Sequence, residues 1–381
     1  MPPAPGVRTP SGGFRGGRPF RPCMGWMSTV SGITIAHVNL SRGYSSVERQ
    51  TEILITALSQ SGVPQILVCR DDSPMIKRLH GLTKLKIQRV FGVVDPKYLG
   101  HFKLGRKVQV VHAHDDHGAR WALFHYVFFG VPYVVTIRPH STLDGSLGTR
   151  LMLRWASDVV CVTTKLKQRL EDEYSVEATV IQHCCSNQAP NKASVDKIRE
   201  NFKNRFIIGH IGPLVNRRKG QADLISAAKL LSERIPELVV MFIGGGDDLK
   251  LLKEKSRGMP NVHFLGMVRN TIDYISCMDA FAYTARDDDF GDAILEVINQ
   301  HVPIVATDNG HLPDFIRHEV TALVVKQHEP EELAQAILRL KSDYELRERI
   351  KSELSSEAVR HSAELMSTNY IALYGRAAAE A

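Results

Sequence analysis

The sequence predicts an α/β protein of two Rossmann-like, doubly wound domains facing each other across a cleft. Three observations carry that prediction. Short apolar strand runs alternate with helical stretches along the chain, the pattern of a parallel sheet covered on both faces. The alternation breaks at a polar segment, HCCSNQAPNKAS (183–194), and then starts again. With 381 residues, 43% of them hydrophobic, there is enough chain for two full cores.

The first 26 residues hold six Pro, six Gly, four Arg and no acid, a composition that cannot bury enough apolar surface to order itself. We expect 1–30 to be a disordered basic arm, or upstream sequence read from too early a start, with Met27 as the alternative. No apolar core typical of a signal peptide stands there. The first domain is expected over 31–188. Its first strand is ITIAHVNL (33–40), and Ser45 and Glu48 form a capping box that opens the helix ERQTEILITALSQSG. QILVCR (65–70) and VQVVHAH (108–114) are strands. WALFHYVFF (121–129) reads as a buried helix, followed by a tight turn and the buried strand YVVTI; DVVCVTT (158–164) comes next.

A polar linker around residue 188 leads to the second domain, expected over 189–360. RFIIGHIG (205–212) is a strand, LISAAKLLSERI a helix and LVVMFIGGG (238–246) a strand; NVHFLG, AFAYTA and PIVATD supply three more. Residues 361–381 are expected to form a closing helix packed back toward the first domain. Ligands of such sheets sit beyond the strand C-termini, so residues there are the site candidates.

Composition narrows the partners. No run of about 18 uncharged apolar residues occurs, so no membrane span is expected. The six cysteines show no CxxC spacing and several fall in core strands, which suits reduced thiols in a cytoplasmic protein. Residues 1–190 carry 23 Lys and Arg against 13 Asp and Glu, whereas 191–381 carry 25 against 28. A basic first half suits an anionic partner, and a peripheral membrane surface is the expected one. No nucleic-acid-binding motif appears. A dinucleotide enzyme would need GxGxxG after the first strand, and ITIAHVNLSRGYSS offers one glycine.

The most informative stretch is ARDDDFGDAILEVINQHVPIVATDNGHLPDFIRHEVTALVV (285–325). A strand runs into an acidic loop and a helix from about Asp292. Amides at that helix start, with Gly291 permitting close approach, make an anion site, and Glu296 sits one turn in. The segment resembles the signature of family 4 retaining glycosyltransferases, which have the GT-B fold. In their E-x7-E pattern Asp288 takes the first acidic position, Phe290, Gly291 and Glu296 match, and Asp289 stands where the family has Gly. GPLVNRRKGQADLISAA (212–228) resembles the family's G-R-L-x-x-x-K-G loop: Gly212, Lys219 and Gly220 match, while Pro213 replaces the arginine, which Arg217 or Arg218 could restore. VVMFIGGG, VHFLG and HSAELMSTNYIALYGR are similar to further family segments. The first half matches more loosely, through HVNLSRGYSSVERQTEILI, VHAHDDH and GVPYVVT.

The resemblance implies sugar transfer from a nucleotide-diphosphate donor to a hydroxyl of a glycan or lipid-linked glycan, with retention, in bacterial lipopolysaccharide or other envelope polysaccharide synthesis. Lys219, Asp288 and His114 would be catalytic. Gly212, Arg217, Arg218, Lys219, Phe290, Gly291, Asp292 and Glu296 would bind the donor, with Glu296 on the ribose and Asp288 on a sugar hydroxyl. Gly43, Arg138 and His112 would lie on the acceptor side. The nucleotide-sugar is a co-substrate, and neither a cofactor nor a metal is expected. An inactive GT-B binding protein and a nucleotide-sugar epimerase are the alternatives. VHAHDDHG (111–118) also resembles the two-zinc motif of metallo-β-lactamases, because His112 and His114 share one face of a strand. No αββα hydrolase pattern follows Gly118, so zinc is not expected.

Overall fold

The computed structural model describes residues 32–90, 100–139, 141–186, 188–286, 292–309, 312 and 314–379. The arm expected over 1–30 lies outside them. Strands β1 (Ile35–Asn39), β2 (Gln65–Arg70), β3 (Leu85–Val90), β4 (Val110–Ala113), β5 (Tyr133–Ile137), β6 (Asp158–Cys161) and β7 (Ala178–Val180) form one sheet, ordered β3-β2-β1-β4-β5-β6-β7. A second sheet holds β8 (Phe206–Ile211), β9 (Leu238–Ile243), β10 (Val262–Gly266), β11 (Ala280–Tyr283), β12 (Ile304–Asp308) and β13 (Ala322–Lys326), ordered β10-β9-β8-β11-β12-β13. Every pairing between these strands is parallel. Every residue of β1, β4, β5 and β9 is buried, as two covered faces require.

With the first sheet run α1 (Ser46–Gln60), α2 (Met75–Arg78), α3 (His101–Leu104), α4 (Asp116–Phe129), α5 (Leu147–Arg154) and α6 (Thr164–Tyr174). The second has α7 (Lys192–Asn201), α8 (Asn216–Lys219), α9 (Gln221–Leu230), α10 (Leu249–Lys255), α11 (Thr271–Ile275), α12 (Asp292–Asn299), α13 (Pro330–Ser342) and α14 (Tyr344–Arg360). The chain closes with α15 (Ala363–Ala379). Strand order reverses between β1 and β4, and again between β8 and β11. The C-terminal edge at each reversal is where such sheets hold ligands.

The structure differs from the sequence reading in three respects. Strands β3, β7 and β13 were not anticipated: β3 (LKIQRV) mixes charge into an edge strand, and β7 is three residues long. The expected polar linker is buried over His183–Ser186. There the Gln50 amide brackets Cys184, donating to its carbonyl at 3.0 Å and accepting from its N–H at 3.1 Å, while Cys185 N–H donates to His361 O. Gln188, Ala189 and Asn191 face water. Third, α4 is not a buried helix, since Phe124, Val127 and Phe128 on it are exposed.

The closing helix belongs to the first domain's core. Met366, Tyr370, Leu373 and Tyr374 pack against Ile35, Val110, Val134 and Val160, one face of the first sheet. The preceding α14 stays with the second core through Leu346, Ile350 and Leu354. The chain therefore crosses between domains twice, once before α7 and once before α15.

Candidate active site

At the C-terminal edge of the second sheet, Gly212 follows β8 and the chain turns into α8, which is capped by Gly220. Asp248 accepts from Asn216 N–H at 2.7 Å and fixes the start of that turn. The end of β11 holds its far side: Thr284 Oγ1 donates to Lys219 O at 2.7 Å, and Arg286 N–H donates to Arg218 O at 2.8 Å. Lys219 folds back over the strand end, its Cε 3.8 Å from where a Gly212 Cβ would stand. Its charge also acts on His210, whose pKa burial first and then Lys219 push down to about 4. Gly212 and Lys219 thus share one point, whereas Arg217 and Arg218 are exposed on α8. The sequence reading missed Arg286. Its Nη2 donates to both oxygens of Asp223 at 2.8 Å, tying β11 to α9. A cation just past a strand's C-terminus was the available signal.

Glu296 does not face an open cleft. It is 3% exposed; Thr271 Oγ1 donates to its Oε2 at 2.7 Å, and Arg49 of α1 pairs with Oε1. A ribose hydroxyl would have to exchange with one of them. The pair also joins the domains, because Arg49 follows β1 and Glu296 follows β11. A second bridge, Thr164 Oγ1 to Asp314 Oδ2 at 2.6 Å, joins the ends of β6 and β12. The C-terminal edges of the two sheets therefore adjoin. Asp288, Asp289, Phe290 and Gly291 lie outside the described residues, and of Asp292 only its place at the start of α12 is described.

On the first sheet, the octet VHAHDDHG divides its labour. Asp115 caps α4 by accepting from Gly118 N–H at 2.9 Å, and it also accepts from Leu40 N–H at 3.1 Å. Burial pushes its carboxyl up to about 6 against those bonds. A Cβ on Gly118 would stand 2.8 Å from Val38 O, so glycine is what lets α4 meet β1. His112, expected on the acceptor side, and His114, expected to be catalytic, are both core groups. His112 is 0% exposed, with Nδ1 2.7 Å from Tyr374 Oη and Nε2 2.7 Å from Thr136 Oγ1. His114 is 2% exposed, with Nε2 2.9 Å from His37 Nδ1. Burial holds both well below the usual histidine range, and it brings His37 down to about 3. Arg138 is also buried; its Nη1 donates to His114 O and its Nε to His183 Nε2 at 3.3 Å. Gly43 is exposed in the loop after β1, with open space where a Cβ would be.

His37, His112 and His114 each offer a ring nitrogen within 4.8 Å of the others, the geometry a metal would ask for. Hydrogen bonding argues against that use. Both His112 nitrogens already have protein partners, so a metal would have to break one of those bonds. Beside this cluster, Glu48 closes the α1 capping box by accepting from Ser45 N–H at 2.8 Å, and it also accepts from Asn39 and Ser41. Burial raises its pKa, but these bonds outweigh burial and hold it below the ordinary value.

Comparison with known proteins identifies the class. Residues 192–355 match the family described as glycosyl transferases group 1. The uncharacterized glycosyltransferase YqgM of Bacillus subtilis is 24% identical over 294 residues, 71% of this chain and 79% of that one. The capsular polysaccharide biosynthesis glycosyltransferase CapM of Staphylococcus aureus is 22% identical over 57% of this chain and 62% of its own. The lipopolysaccharide core biosynthesis glycosyltransferase LpsD of Rhizobium meliloti is 25% identical over 58% and 64%. Among solved structures, a Rickettsia africae glycosyltransferase superposes with a TM-score of 0.77 at 19% identity, over 91% of this chain and 98% of that one. Anabaena HepE in complex with UDP gives 0.74 at 17%, over 90% and 99%. The fold is GT-B, and the enzyme class is glycosyltransferase.

Proposed function

We propose that this chain is a retaining glycosyltransferase of family 4, moving a sugar from a nucleotide-diphosphate donor to a hydroxyl of a lipid-linked envelope glycan. The observation that carries the reading is the Gly212–Lys219 turn at the β8/β11 reversal, set against the β1/β4 edge of the facing sheet. A lysine held there meets the charge that builds on the departing diphosphate, and one such preorganised group contributes roughly 3–4 kcal/mol. Arg286 and Asp223 hold the turn in place. The leaving phosphate can itself accept the acceptor proton, so no separate base is needed. UDP is the first nucleotide to try, because HepE has been solved with UDP. Capsule and lipopolysaccharide relatives support an envelope acceptor. We place the enzyme in the cytoplasm, peripheral at the inner face of the membrane.

A thermal-shift screen against UDP, GDP and ADP tests the reading. A nucleotide at about 100 times its Kd stabilises by about 2.7 kcal/mol. One of the three should raise the midpoint. No shift with any of them would overturn the donor site. Product anomers read by NMR then decide between retention and inversion.

A further inference from the structure

A cluster of aromatic rings on the first domain faces water, although nothing in the donor site uses it. Phe102 is 81% exposed, Phe128 62%, Val127 56%, Phe124 52% and Trp155 45%. These residues come from α3, the C-terminal half of α4 and the end of α5, and three of them meet rings of neighbouring residues. Phe102 meets Phe129 edge-on at 5.6 Å, Phe128 meets His101 at 6.2 Å and Tyr126 meets Trp155 at 6.5 Å. Beneath them Trp121 stacks against both His101, at 4.2 Å, and His125, at 4.9 Å, so the patch has a firm floor. Between α4 and α5 it dips into an open depression of about 580 Å³ lined by Arg106, Val127, Phe128 and Trp155, among others. Contiguous exposed apolar surface of this kind marks an interaction site.

The charge around the rings selects the partner. Lys103, Arg106 and Lys107 flank Phe102, Arg120 lies one turn before Phe124, and Arg154 adjoins Trp155; all five are exposed. Between Gly100 and Leu143 the only acids are Asp115 and Asp116, at the opposite end of α4. A second copy docked on this face would bring two cationic rims together without an anion between them. An anionic bilayer instead offers phosphates to the rim and a headgroup–acyl boundary to the rings, where aromatic side chains settle.

We infer that α3, the C-terminal half of α4 and Trp155 form the face by which this protein docks on an anionic lipid surface. The inference rests on the reading of a lipid-linked acceptor, and it names the surface that would meet the lipid. With a 1.5 Å rise per residue, Phe124 and Phe128 stand about 12 and about 18 Å along α4 from the site edge where the helix begins. Those distances leave room for a headgroup and a first sugar between bilayer and cleft.

The test uses the full chain and its F124S/F128S variant, co-sedimented with phosphatidylglycerol-containing vesicles and with pure phosphatidylcholine vesicles, at low and high salt. The parent should bind the anionic vesicles, and added salt should weaken that binding. The variant should lose on the order of tenfold in partitioning for each ring removed. Its unfolding midpoint and its nucleotide-induced shift should match the parent's. Undiminished binding by the variant, equal parental binding to both vesicle types, or no parental binding at low salt would overturn the docking face. So would light scattering that shows a parental dimer dissolved by the substitutions. The nucleotide shift is read separately, so its absence in the parent counts against the donor site and leaves the vesicle result standing.

Discussion

The Thr284 hydroxyl donates to Lys219 O, a backbone bond that does not depend on the lysine side chain, whose Cε lies beside Gly212. Lys219→Ala should therefore fold normally and lower kcat by on the order of 10² or more. An unchanged single-turnover rate would remove Lys219 from the reaction. Glu296→Gln should weaken nucleotide affinity by about 1.5–3 kcal/mol if its carboxylate exchanges Arg49 for ribose, and calorimetry on both proteins reads this directly. The histidines make a separate prediction. His37, His112, His114 and His210 are buried, and burial depresses their pKa values in the folded state. Their neutral forms therefore stabilise the fold fully above the unfolded value of about 6.5. That stability is lost as pH falls from there toward the folded values, about 3 for His37 and about 4 for His210. Each should contribute a slope of about 1.4 kcal/mol per pH unit in that window. Denaturant midpoints at neutral and at mildly acidic pH check it, and a flat profile would contradict it. At this scale the sequence showed the Ser45–Glu48 box and the strand-loop-helix that carries Lys219 and Gly220. It did not show that His112 and His114 are buried, since a strand period tells which face a side chain takes and not what covers that face.

The Ser45 cap was legible because its partner Glu48 lies three residues on. Close approaches between elements were not. In the run GGG at 244–246, Gly246 serves packing: a Cβ there would stand 2.5 Å from Leu214 O. Gly246→Ala should cost about 1–3 kcal/mol through overpacking, seen as a lower thermal midpoint. A midpoint equal to the parent's would mean that the loop after β8 can yield. WALFHYVFF read as buried because a helix apolar all round usually is. The structure covers Trp121 and His125 and leaves Phe124, Val127 and Phe128 in water. Edge strands β3, β7 and β13 escaped notice because half-solvated strands carry less of the apolar run that marks central ones.

The closing helix ties the last residues of the chain to its first sheet. Removing residues 363–381 would strip Met366, Tyr370, Leu373 and Tyr374 from the first core. At roughly 1.5–3 kcal/mol for each buried side chain, the loss is comparable with the 5–15 kcal/mol that stabilises a whole domain. The truncated protein should lose its native near-ultraviolet dichroism, and retention of the parental spectrum would refute this. The sequence by itself determined the two doubly wound domains, the central strands and the Lys219 turn, because periodicity, caps and short motifs act over a few residues. Tertiary structure decided which residues meet. It set Glu296 against Arg49, 247 positions away, and put His112 under Tyr374, 262 positions away. It also gathered the rings of α3, α4 and α5 on one face. Such pairings depend on how two sheets and a returning helix pack, and nothing in a local stretch of chain encodes that distance.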